Sequence, residues 1–190
     1  SRATECTSLK VLEDWFHELN CLAPHTSDDP GTGVDPDLVV PNVVVHPSNA
    51  RLRQELDLIG RTGVAAVITS VGNPAPAIEI LHDYGKAVWA DIATVHHADN
   101  AVRAGADGLV LLTAGAGGQT GWLNPFVFAR TVRPMFDGPM ILSGGMCDGF
   151  TVRIAELLGC DLAYMGTKFI ATDESRADRR WKRLVVEASA

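Results

Sequence analysis

The sequence predicts an α/β protein assembled from repeated βα units, and three observations carry that expectation. From about residue 38 onward, apolar β-branched runs alternate with helix-length amphipathic segments. The runs recur every roughly 20 to 30 residues, the length of one βα unit. Most are apolar at every position rather than at alternate ones, as parallel strands covered on both faces require. With 190 residues, 46% hydrophobic and 21% charged, the chain carries enough apolar material for a large core.

In chain order, the elements begin with a helix in which Leu12, Trp15, Phe16 and Leu19 share one face behind a capping Thr7 or Ser8. Residues 21–37, rich in Pro, Gly and Asp and without periodicity, predict an irregular acidic loop. Strands are predicted over 38–45, 64–70, 87–92, 108–113, 140–143 and 162–165. Between them Leu52, Leu56 and Ile59 keep a helical stripe after Ser48, and Ile78 and Leu81 keep another after the turn Gly72-Asn73-Pro74. Val95, Ala98, Ala101 and Val102 form a small-residue stripe; residues 126–132 and 152–158 supply two more, the second closed by Gly159. The last helix, roughly 175–187, is expected to turn Trp181, Leu184 and Val185 inward and Arg179, Arg180 and Lys182 outward.

Sixteen Lys and Arg against twenty-three Asp and Glu leave a formal charge of −7, with no basic surplus to hold a nucleic-acid backbone or an anionic membrane. No apolar run reaches the roughly 18 residues of a bilayer span, and Ser1-Arg2-Ala3-Thr4 opens no signal core, so a cytoplasmic location is expected. Cys6, Cys21, Cys147 and Cys160 are scattered, without Cys-x-x-Cys or histidines at ligand spacing, and predict free buried thiols and no metal. Six strands in this rhythm fit either an open doubly wound sheet or a (β/α)8 barrel. A barrel takes about 250 residues. The barrel reading therefore expects a chain that lacks its first one or two βα units, in keeping with its opening on a helix.

In both architectures ligands lie beyond the carboxyl ends of the strands. There the sequence places Thr113-Ala114-Gly115-Ala116-Gly117-Gly118-Gln119-Thr120-Gly121, then Ser143-Gly144-Gly145-Met146, then Met165-Gly166-Thr167-Lys168. Glycines let backbone N–H groups converge on an anion, so a phosphate is the expected guest of these loops. His46 and Asp91 also end strands and are weaker pocket candidates, as are Ser70 and, past the glycines, Trp122. His17, His25, His82, His96 and His97 read as surface, loop or cap residues.

Gly105-Ala106-Asp107-Gly108, Ala116-Gly117-Gly118-Gln119-Thr120-Gly121, Ser143-Gly144-Gly145-Met146-x-Asp148-Gly149 and the stretch Gly159-Cys160-Asp161 through Tyr164-Met165-Gly166-Thr167-Lys168 to Glu174-Ser175 resemble, in order and spacing, the nitronate monooxygenase (2-nitropropane dioxygenase-like) family. Pro41-Asn42-Val43-Val44-Val45-His46 and Ile68-Thr69-Ser70-x-Gly72 are similar to its earlier strands. The resemblance implies that residues 1–190 form one FMN-binding (β/α)8 TIM-barrel domain, N-terminally incomplete in this sequence. It implies that Asn42 faces the flavin, that Gly117 and Gly118 border it, and that the Ser143-Gly144-Gly145 turn with Met165, Gly166 and Thr167 holds its phosphate end. Similar enzymes carry a catalytic histidine where this chain has Gln119, and an arginine at Lys168. A carboxamide does not titrate near neutrality, so Gln119 can donate a hydrogen bond but cannot act as a base. The implied activity is oxidation of small alkyl nitronates by FMN and oxygen. The alternatives are an FMN-dependent enoyl reductase-like enzyme, or a non-catalytic barrel that binds a phosphate ligand. The expected partners are a small-molecule substrate and oxygen, with the oligomeric state open and a homodimer one option.

Overall fold

The computed structural model describes residues 9–22, 39–118 and 120–188, the side chains of 19–22 excepted. The chain divides into two compact units, Ser1–Asp91 with Arg103–Asp107 and Ile92–Val102 with Gly108–Ala190. In the first, helix α1 (Leu9–Leu22) precedes strand β1 (Asn42–Val44), α2 (Leu52–Gly60), β2 (Ala66–Ser70), α3 (Ala75–Asp83) and β3 (Ala87–Ile92). In the second, α4 (Val95–Arg103) leads to β4 (Gly108–Leu112), α5 (Pro125–Val132), β5 (Met140–Ser143), α6 (Gly149–Leu157), β6 (Leu162–Tyr164), the short α7 (Thr167–Ile170) and α8 (Arg179–Glu187). β1 pairs with β2, β2 with β3, β4 with β5 and β5 with β6, all parallel.

Each predicted strand is present, β3 and β5 with the predicted bounds and the other four shorter than predicted. β1 opens at Asn42 because Pro41 has no N–H to give; its carbonyl still accepts from Ile68 N–H at 2.8 Å. β2, β4 and β5 are buried at every position, which is what their unbroken apolar sequence anticipates. The helices contribute Leu56 and Ile59 of α2, Ile78 and Leu81 of α3, Ala98 and Ala101 of α4, and Phe128, Ala129 and Val132 of α5, all buried.

Strand starts are held by a device used once in each unit. Gly105 and Gly159, with φ of +88° and +90°, turn the chain out of α4 and α6. The aspartate two residues later then clasps the preceding strand. Asp107 N–H donates to the Val88 carbonyl at 2.8 Å while its Oδ2 accepts from Val88 N–H at 2.7 Å and meets His82 at 2.8 Å. Asp161 N–H donates to the Met140 carbonyl at 2.8 Å, and its Oδ2 accepts from Met140 N–H at 2.8 Å. Arg133 braces the second clasp, donating to the Gly159 carbonyl at 3.2 Å and to Asp161 at 3.4 Å.

Three expectations are corrected. α8 begins at Arg179, where the Asp178 carboxylate accepts from Arg180 N–H, and buries no residue: Trp181 is 58% exposed and Leu184 63%. β6 is not covered on both faces, with Leu162 and Tyr164 both exposed. Of the cysteines, Cys160 is buried, its thiol pushed up to about 11 chiefly by that burial, but Cys147 is exposed. Cys6 and the side chain of Cys21, residues 23–37 of the acidic loop, His25, and the capping Thr7 and Ser8 lie outside the described residues. Among the described residues no helix is long and apolar enough to cross a membrane, and no group of His, Cys, Asp and Glu could hold a metal ion.

Asp161→Ala strips the fully buried Met140 of the acceptor for its N–H. Urea denaturation should show a loss of about 1–3 kcal/mol. Phe128→Ala, at a fully buried position, should cost about 3–5 kcal/mol in the same measurement.

Candidate functional site

The carboxyl ends of β4, β5 and β6 build the site in the second unit. Past β4, Thr113 donates twice to the Ser143 carbonyl at the end of β5, from its N–H at 2.9 Å and from its hydroxyl at 2.8 Å. Gly145 N–H reaches back to the Gly115 carbonyl at 3.2 Å. This crossing of two turns excludes side chains. Gly144 has φ +131° and a Cβ on it would run into the Thr113 hydroxyl, while a Cβ on Gly121 would overlap the Leu112 carbonyl.

Other glycines of the same loops face open space. A Cβ on Gly118, Gly145 or Gly166 would meet nothing within 4 Å, and one on Gly117 only the Thr167 hydroxyl. All four line a cavity of about 770 Å³, joined by Ser143, Gly144, Met165 and Thr167. The structure thus brings together Gly117, Gly118, Ser143, Gly144, Gly145, Met165, Gly166 and Thr167 of the predicted loops, with Gly115, Ala116 and Met146 beside them. It adds Cys147, Tyr164 and Ile170, which the sequence did not single out as site residues. No charged side chain lines the cavity among the described residues. Lys168 supplies positive charge beside it, its Nζ donating to the Cys147 carbonyl at 2.6 Å.

The opening of α6 is not free for an anion, although the sequence suggested a helix N-terminus behind the glycines. Asp148 caps it, its Oδ1 accepting from Thr151 N–H at 2.9 Å while the Thr151 hydroxyl accepts from Asp148 N–H at 3.1 Å. The Thr151 N–H is the main reason that this carboxyl is held below its ordinary value of 3.8. The Thr151 N–H at the start of α6 is therefore already engaged by a side chain of the chain itself.

In the first unit the structure joins three predicted residues. Asn42 Nδ2 donates to Ser70 Oγ at 2.7 Å, and the Ser70 hydroxyl donates to Asp91 Oδ2 at 2.6 Å. Burial pushes the Asp91 carboxyl above its ordinary 3.8, against the opposing pull of Ser70 and then Asn42. His46 is exposed and engaged with Ser48 Oγ at 2.7 Å, and the Trp122 indole is 93% exposed. Gln119 lies outside the described residues. His82, His96 and His97 are exposed, as their sequence positions suggested.

Residues 35–190 match the family model described as nitronate monooxygenase. The chain belongs to the nitronate monooxygenase family. It is similar to the nitronate monooxygenase of Paraburkholderia phytofirmans, 27% identical over 127 residues that cover 60% of this chain and 35% of that protein. Among solved structures it resembles FabK from Thermotoga maritima, with a TM-score of 0.71 and 30% identity over 79% of this chain and 48% of that one. It also resembles the nitroalkane oxidase of Streptomyces ansochromogenes, with a TM-score of 0.62 and 26% identity over 69% and 41% of the two chains. The chain thus spans about a third of that curated relative and no more than half of these solved chains. Its parallel βα units are part of a (β/α)8 barrel, in a family of flavin-dependent oxidoreductases.

Asp148→Ala removes the α6 cap and should lower the thermal midpoint at pH 7. Because the folded-state pKa lies below the ordinary one, the cap's contribution is complete above the ordinary value and is lost as pH falls through the folded value. Melting curves of wild type and variant should therefore converge on acidification.

Proposed function

We propose that the chain contributes the phosphate-binding loops of an FMN-dependent oxidoreductase, in which residues 1–190 belong to one FMN-binding domain and which oxidises small alkyl nitronates with molecular oxygen. One observation carries the reading: in a chain of this family, Gly118, Gly145 and Gly166 open onto a single cavity where a side chain would find only empty space. A cradle of that kind suits a ligand with a phosphate end and a flat ring. FMN, when bound, supplies the two-electron chemistry. The chain's own residues do the rest. Gly145, Met165, Gly166 and Thr167 would hold the phosphate end, with the Thr167 hydroxyl as a side-chain donor and the Lys168 ammonium as nearby positive charge. Gly117 and Gly118 would let the ring lie against backbone.

Gln119 sets the preference among substrates. A nitronate is already an anion and needs an oriented donor, which a carboxamide provides; a neutral nitroalkane needs a base, which it does not. Small molecules and oxygen are the partners that this chemistry requires.

Purified protein reconstituted with FMN should show the paired visible bands of a bound flavin and consume oxygen with propyl-2-nitronate. A colourless sample that binds no FMN would overturn the reading. Gly166→Leu tests the cradle itself: the backbone there has φ −113°, which any residue adopts, and the Cβ it adds meets nothing within 4 Å in the free protein. It should weaken FMN binding by roughly tenfold or more, ~1.4 kcal/mol, with the melting temperature unchanged. Gln119→His should raise the rate with neutral nitroethane relative to the nitronate, and an unchanged ratio would remove residue 119 from the account.

A further inference from the structure

β1, β2 and β3 have two unlike faces. Val43, Val67 and Val88 are buried on one. On the other, Asn42 stands opposite Ile68 and Ile68 opposite Trp89, so two residues further along the strands this same face carries Ser70 and Asp91. Asn42 is exposed on it, and Trp89 and Asp91 are half-buried. Ser70 closes β2 and Asp91 is the penultimate residue of β3. The cluster therefore sits at the carboxyl ends of parallel strands, where (β/α)8 barrels meet their substrates.

Asn42 Nδ2 donates to Ser70 Oγ, and the Ser70 hydroxyl lies within donating distance of both Asn42 Oδ1, at 2.9 Å, and Asp91 Oδ2, at 2.6 Å, the shorter contact being to Asp91. Asp91 Oδ1 is buried and, among the described residues, has no hydrogen-bond partner. A buried carboxylate oxygen left without a donor is costly, and a group kept at that cost calls for a use. Ser70 and Asn42 orient the carboxylate, and neither titrates in competition with it. A carboxylate more basic than usual, steadied on one oxygen and unpaired on the other, is equipped to accept a proton.

We propose that Asp91 Oδ1 is the base that takes the α-proton of a neutral nitroalkane, the task that the carboxamide at position 119 cannot perform. The inference rests on the function proposed above and extends it from nitronates to their neutral parents. In the step, the C–H bond breaks, its proton passes to Asp91 Oδ1, and its electron pair moves onto the nitro group. The products are the nitronate and a neutral carboxyl group, and no oxidant takes part.

Since no electron is transferred, the step is measurable without turnover. Nitroethane is incubated in D2O under argon with the FMN-reconstituted protein, and with the protein as purified, and loss of the α-proton signal is followed by NMR. Wild type should exchange the proton faster than buffer. Asp91→Asn, which keeps the shape of the side chain, should lower the excess rate at least tenfold while its circular dichroism and its FMN absorbance match wild type. Ser70→Ala removes an orienting donor but leaves the base, and should retain exchange within a few-fold. Equal exchange by Asp91→Asn and wild type, or none above buffer by wild type, overturns the inference. If FMN binding and nitronate oxidation persist in that event, the proposed function stands without it; absence of bound flavin would count against the function alone, because exchange is read on the flavin-free protein as well.

Discussion

Each unit depends on a carboxylate that reads the first residue or two of the strand before it. Asp107 and Asp161 both give and receive one backbone hydrogen bond with a single residue, Val88 or Met140. A two-point grip of that kind allows one register and no slip, and in a parallel sheet a slip of one residue would exchange the buried and ligand-facing sides. The glycines at positions 105 and 159 serve the grip by turning the chain sharply enough for the aspartate to arrive.

The glycine loops at the other ends of the strands combine two roles that look identical in sequence. Gly144 and Gly121 are small because neighbouring backbone and hydroxyl groups already fill the space, so their role is packing. A Cβ on Gly118, Gly145 or Gly166 would meet nothing, so close packing does not account for these glycines, although the φ of +74° at Gly118 and +69° at Gly145 itself favours glycine. A run of glycines announces close approach without saying by what; only the surroundings of each absent Cβ distinguish the two.

Legibility follows the same division between local and assembled features. Buried parallel strands write themselves as unbroken apolar runs, and β2, β4 and β5 could be bounded from the sequence to within two residues. That the glycine loops line one cavity was legible because glycine recurs at the same point of successive units. The exposure of Trp181 and Leu184 was not, since amphipathic spacing states which side of a helix is apolar and not whether anything covers it. Asp148 could have been read from its spacing to Thr151, three residues on, ahead of an apolar run. The orphan oxygen of Asp91 could not, because it arises from the coincidence of three strands whose register no local pattern encodes.

β5 shows what this arrangement permits. Its four residues, Met140–Ser143, span only about 10 Å, yet one end is gripped by Asp161 and the other carries the Gly144-Gly145 turn. Mechanical fidelity and chemical novelty are thereby assigned to opposite termini of one short segment. Loops at the carboxyl end are free to drift toward new substrates over evolutionary time while the amino end continues to specify the same scaffold, which lets a single architecture diversify without relearning how to fold.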